Sequence, residues 1–212
     1  MKIKVCGMKY PENILKIAAL QPDYVGFIFY DKSPRNFEGI IPELPKSTKK
    51  VGVFVNEYLE ILVSLVEEYK LDVIQFHGDE SVDYIKQLKT HLPKVEIIKV
   101  FGIKDEFDFS VLEDYIDVVD YFLFDTKGEN RGGNGVTFNW EVLKDYPYTK
   151  PYFLSGGIGL NEVEDLMSFL QKQESQCCYA VDVNSKFEIE PGLKSVEKIQ
   201  KFKKSVITNE VK

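Results

Sequence analysis

Short apolar or alternating runs recur along this chain, and between them the apolar positions fall at helical spacing. The runs are KIKVC, DYVGFIF, KKVGVFV, DVIQFH, EIIKVFG, YFLFDT, PYFLSGG and CYAVDVNS, which predict eight strands. The intervening segments PENILKIAAL, EYLEILVSLVEEYK, SVDYIKQLKTHL, FSVLEDYIDVV, NWEVLKDY, NEVEDLMSFLQKQ and LKSVEKIQKFKKSV predict helices. Tyr58, Leu62, Leu65 and Tyr69 share one face of the second, and Val196, Ile199 and Phe202 one face of the last. Ser81 and Asn161 stand where N-caps belong. Only RNFEGIIPELPKS, after the second strand, lacks a clear helix, because Pro42 and Pro45 interrupt it.

Regular alternation of strand and helix indicates an α/β protein built as a closed (β/α)8 TIM barrel, with an open doubly wound sheet as the alternative. No composition shift or low-complexity linker divides the 212 residues, so a single domain over 1–212 is expected. The net charge of −7 argues against nucleic acid as a partner. No run is long and apolar enough for a membrane span, and MKIKV enters a strand without a secretory leader, so a cytoplasmic location with no membrane partner is expected. Cys6, Cys177 and Cys178 form neither a disulfide framework nor a CxxC motif. A metal reading of Cys177 and Cys178 has only His77 and His91 to assist it at unsuitable spacing, so no metal is expected.

In such a barrel the chemistry lies at the C-terminal strand ends and the loops after them. Cys6 closes the first strand in phase with Lys4 and Lys2. His77 ends the fourth in phase with Gln75, Asp125 ends the sixth in phase with Leu123, and Asp182 lies in the eighth in phase with Ala180. Each has a structural alternative: Asp125 as a loop cap, His77 as a satisfied core histidine, Cys6 as a small buried hydrophobe, Asp182 as the partner of an interior lysine such as Lys4 or Lys99. Together they bring four ionisable side chains to one mouth. Gly156 and Gly157 in LSGGIG, with Asn184 and Ser185 in DVNS, place flexible backbone after the last two strands, where barrels bind phosphate. Arg35, rigidly preceded by Pro34, offers a planar charged fork suited to a carboxylate, with an ordinary surface arginine as the alternative. KGENRGGNGVTF, residues 127–138, reads as a mobile cover over the mouth.

The stretches KVCGM, GFIF followed by SPR, VGVF, QFHGDE, LFDT, GGNG followed by FNW, LSGGIG and VDVNSKFEIEPG, in that order, span nearly the whole chain. Their combination resembles the phosphoribosylanthranilate isomerase family, barrel enzymes of tryptophan biosynthesis. The resemblance implies that Cys6 is the general base and Asp125 the general acid of an Amadori rearrangement. It makes Arg35 the partner of the anthranilate carboxylate, with His77 and Asp182 beside the substrate and the LSGGIG and DVNS loops as phosphate cradle. A phosphosugar substrate is implied, no cofactor is required, and monomer and homodimer both remain open. This chain departs from the family pattern with Asn134 for threonine, FNW for FDW and Lys186 for glycine. Burial and the anionic substrate are expected to raise Asp125, and Lys4 or a loop N–H to favour the Cys6 thiolate. A related isomerase of histidine biosynthesis would want an aspartate at Cys6, and a metal-dependent epimerase more histidines. A non-catalytic phosphosugar-binding barrel would have no use for both Cys6 and Asp125.

Overall fold

The computed structural model describes residues 1–126 and 137–209, so the cover expected over 127–138, with Asn134, lies almost wholly outside the described residues. Eight parallel strands, β1 (Lys2–Val5), β2 (Tyr24–Phe29), β3 (Lys49–Phe54), β4 (Val73–Phe76), β5 (Glu96–Ile103), β6 (Tyr121–Thr126), β7 (Tyr152–Leu154) and β8 (Cys178–Val183), pair in chain order. β8 then pairs with β1, setting Lys4 beside Asp182 and closing the barrel. Closure excludes the open sheet. The helices are α1 (Pro11–Ala18), α2 (Leu59–Tyr69), α3 (Val82–His91), α4 (Val163–Leu170) and α5 (Val196–Asn209). None of the described helices is long and apolar enough to cross a membrane.

The barrel interior holds Tyr24, Val51, Val73, Ile98, Val100, Leu123, Phe153 and Ala180, one or two inward side chains from each of seven strands. β1 contributes Lys4 instead, fully buried. The second apolar layer lies between the strands and the helices, where outward residues such as Ile3, Val25, Phe54 and Phe122 meet Ile14, Leu62, Ile85 and Phe202. This double burial explains why the strands read as nearly continuous apolar runs.

Several local expectations need correction. Segments Phe109–Tyr115 and Trp140–Asp145 wind as 3-10 rather than α-helices, burying Phe109 with Leu112 and Trp140 with Leu143. In α2 the buried residues are Leu62 and Val66, while Tyr58 is 75% exposed. Ser81 caps α3 by accepting from the Tyr84 N–H at 3.2 Å. Asn161 does not cap α4: the N-cap position is Glu162, which makes no side-chain capping bond.

Between β2 and β3 no helix forms, as the prolines predict. Phe37 covers the sheet there, its ring 5.0 Å from Phe27 and 5.8 Å from Tyr69. After β8 the chain makes a small antiparallel hairpin, β9 (Glu188–Glu190) and β10 (Leu193–Lys194), that was not anticipated. Its turn is Pro191–Gly192, with Gly192 at φ +88°.

Candidate active site

Parity along the strands delivers the expected groups to one cleft at the C-terminal end of the barrel. Cys6, Arg35, His77, Asp125 and Asp182 all line it. So do Gly156 and Gly157 from the loop after β7, and Asn184 and Ser185 from the loop after β8. Ile28, Val53, Val55 and Ile158 supply apolar walls between the polar groups.

Cys6 continues the ladder of β1 by donating its N–H to the Val183 carbonyl at 2.9 Å, after which Gly7 turns away at φ +71°. A Cβ at Gly7 would stand 2.8 Å from Asn184 Oδ1 and 2.9 Å from Arg35 Cδ. Glycine is therefore required twice, by dihedral angle and by space. On the neighbouring strand, a Cβ at Gly26 would lie 2.8 Å from Cys6 Sγ and 3.1 Å from its Cα.

Lys4, one inward position below Cys6, donates to Asp182 Oδ2 at 2.9 Å. The interior-lysine alternative for Asp182 is thus the observed one, with Lys4 as partner. Lys99 lies on the outward parity of β5 and pairs instead with Glu80 at 3.1 Å. Asp182 Oδ1 is buried without a hydrogen-bond partner in a carboxylate that lines the cleft. Burial pushes Asp182 above the ordinary carboxylate range and Lys4 opposes that shift.

Asp125 is 7% exposed, and burial, reinforced by the charge of Asp182, raises it to about 7. The Thr126 N–H, donating to Oδ1 at 2.9 Å, works in the other direction. His77 Nε2 stands 3.7 Å from Asp125 Oδ2. At neutral pH Asp125 therefore holds a proton in an appreciable fraction of molecules. The shift has the direction expected from burial.

Cys6 does not follow expectation. Its thiol is pushed up by burial, and the opposing pull of Lys4 is the smaller effect, so the cysteine rests as a neutral thiol rather than a thiolate. A lysine already committed to a carboxylate has less field to offer a second anion, and Asp182 itself raises the thiol.

Gly156 and Gly157 adopt φ +91° and +64°, and a Cβ on Gly156 would meet the Thr126 backbone N at 2.6 Å. These glycines let the loop after β7 lie directly on the end of β6 beside Asp125. The Asn184 side chain is turned inward, its Oδ1 accepting from Lys194 Nζ at 2.6 Å. Backbone groups, the Ser185 hydroxyl and Lys186, which also lines the cleft, are then its loop's offering to an anion.

Arg35 is no surface arginine: its side chain is 14% exposed and grips Glu188 with two bonds, Nε to Oε1 at 2.8 Å and Nη2 to Oε2 at 2.7 Å. Glu188, Lys194 and the cleft-lining Gln75 and Ser155 were not singled out from sequence. For Glu188 a signal existed, since EIEPGLK alternates charged and apolar residues across a Pro-Gly turn, the pattern of a hairpin with one face turned to a site.

Comparison with known proteins places the chain in a family. The family model described as N-(5'phosphoribosyl)anthranilate (PRA) isomerase matches residues 3–205. The chain belongs to the phosphoribosylanthranilate isomerase family. It is 40% identical over 213 residues to the N-(5'-phosphoribosyl)anthranilate isomerase of Parabacteroides distasonis, covering 98% of this chain and 94% of that one. The crystal structure of the Thermotoga maritima member superposes with a TM-score of 0.81 at 30% identity, covering 98% of this chain and 99% of that one. A further solved member, in complex with reduced 1-(o-carboxyphenylamino)-1-deoxyribulose 5-phosphate, gives a TM-score of 0.79 at 28% identity, with 98% and 99% covered. Family members are thus alike over the whole barrel.

Proposed function

We propose that this chain isomerises N-(5'-phosphoribosyl)anthranilate to 1-(2-carboxyphenylamino)-1-deoxyribulose 5-phosphate by an Amadori rearrangement in tryptophan biosynthesis, with residues 1–212 acting as one catalytic unit. The observation that carries the reading is a buried carboxyl raised to about 7 facing the same cleft as a strand-end cysteine, in a chain of this family. Asp125 gives its proton to the ribose ring oxygen as the C1′–O bond breaks, leaving an iminium between the sugar and the aryl nitrogen. Cys6, ionised at that moment, removes the proton from C2′, and the C–H electrons flow towards nitrogen to give an enolamine. Tautomerisation of the enolamine yields the ketone, so that C1′ is reduced as C2′ is oxidised, with no net redox change and no group lost. The iminium's positive charge beside Cys6 lowers the thiol's pKa when the base is needed.

Arg35 takes the aryl carboxylate, Gly156, Gly157 and the backbone around Ser185 take the phosphate, and His77 and Asp182 flank the sugar. Ile28, Val53 and Val55 suit the face of an aromatic ring. Freshly generated substrate is fluorescent through its aminobenzoate group. Rapid loss of that fluorescence on adding the folded protein is expected, and no acceleration over the spontaneous decay would leave the reading of a phosphosugar-binding barrel instead.

Gly26 provides a test that leaves every polar group in place. Gly26→Ala puts a methyl against Cys6, and because a displacement of about 1 Å can cost a hundredfold, kcat should fall by about ten- to a hundredfold. Unchanged kcat in the folded variant would mean that the thiol's position is immaterial.

A further inference from the structure

Behind the cleft wall, four side chains form a closed polar knot. Glu188 accepts two bonds from Arg35, one from Lys194 Nζ at 2.6 Å and one from the Gly192 N–H at 3.0 Å. Lys194 also donates to Asn184 Oδ1 at 2.6 Å. Its backbone is tied to α1 by a reciprocal pair: the Lys194 N–H donates to Asn13 Oδ1 and the Asn13 amide donates to the Lys194 carbonyl, both at 2.8 Å. The side chains of Lys194, Glu188 and Arg35 are 0%, 6% and 14% exposed.

Two cations thus share one anion in a nearly dry setting. Burial would raise Glu188, but Arg35 and Lys194 outweigh it and hold the carboxyl below its ordinary range. Burial lowers Lys194 to about 8, which leaves it charged at neutral pH. Guanidinium has five N–H donors in a fixed plane, and Glu188 occupies the edge made by Nε and Nη2. What remains for a ligand is the other edge, Nη1 with the second hydrogen of Nη2, and its direction is set by Glu188.

We propose that Glu188, itself pinned by Lys194, is a positioning residue that aims the outer edge of Arg35 into the cleft, so that this knot selects substrates carrying a carboxylate on the amine. The inference rests on the reading of Arg35 given under the proposed function. The knot's single excess positive charge is what an incoming carboxylate neutralises. A flexible arginine would have to lose its rotamer freedom on binding, whereas this one has lost it already.

The test compares two ligands, reduced 1-(o-carboxyphenylamino)-1-deoxyribulose 5-phosphate and its phenylamino counterpart without the carboxylate, titrated calorimetrically into the wild type, Glu188→Gln, Glu188→Asp, Lys194→Met and Arg35→Lys, each checked for folding. Glu188→Gln makes the knot more positive, so a plain field effect would tighten the carboxylate ligand. A positioning role predicts the opposite: about ten- to a hundredfold weaker binding of the carboxylated ligand, the range of one or two charge-assisted bonds, with the phenylamino ligand within about threefold. Lys194→Met keeps the Arg35–Glu188 pair but removes the knot's excess charge, so about tenfold loss is expected there on either account, whereas Glu188→Asp keeps the charge and shortens the reach, and a selective loss of about tenfold there reports positioning alone. Tightening, no change, or equal weakening of both ligands by these variants overturns the proposal. An unchanged ligand preference in Arg35→Lys would overturn instead the reading of Arg35 on which it rests.

Discussion

Cys6→Ser should lower kcat by about 10²- to 10⁴-fold while KM changes little, because general base catalysis contributes in that range and a serine hydroxyl does not ionise in the working pH range. The substitution is nearly isosteric, so a loss on this scale reports chemistry rather than packing. Steady-state kinetics on the folded variant, with binding of the reduced product analogue as a control, makes the measurement. A kcat within tenfold of the wild type would remove Cys6 from the mechanism.

The second large effect is a change in the shape of a pH profile. Asp125 sits at about 7 and Cys6 above the ordinary thiol range, so the acid loses its proton more easily than the base does. Below pH 7 both groups are protonated and no base exists. Between pH 7 and the thiol's pKa one proton remains, mostly on Cys6, and the productive arrangement with that proton on Asp125 is a constant minor fraction. Above the thiol's pKa neither group holds a proton. The value of kcat/KM should therefore rise through about pH 7, level off, and fall only in the alkaline range. Asp125→Asn should lose about 10²- to 10⁴-fold in kcat and should abolish the rise near pH 7. If the rise persists in that variant, it belongs to another group, with His77 at 3.7 Å the first to test.

This ordering is the part of the site that reading the sequence got wrong. Strand parity placed Cys6, His77, Asp125 and Asp182 at one mouth correctly, because a period of two along eight strands is a robust signal. The sign of a pKa shift is not periodic. It depends on which of two opposed effects is larger at one atom, and for Cys6 burial exceeds the pull of a lysine whose charge Asp182 already engages.

The same division runs through the fold. Strands buried on both faces announced themselves as apolar runs, and Pro42 with Pro45 announced the missing helix. The 3-10 segments did not differ from α-helices in composition, since a three-residue spacing of apolar groups serves both. Glu188 and Lys194 were obscured for another reason. The alternation across the Pro-Gly turn signals a hairpin, but each charge looks like an ordinary exposed one until that hairpin folds back on Arg35.

The seam between β1 and β8 has a further consequence, for the order in which the molecule comes into being. Cys6 leaves the ribosome long before its flanking Asp182 and the Glu188–Lys194 clamp on Arg35. Until they emerge, β1 is an edge strand with a buried-type lysine exposed and nothing to pair it. The Cys6 thiol is thus made early, and the proposed base meets its flanking groups only when the ring closes.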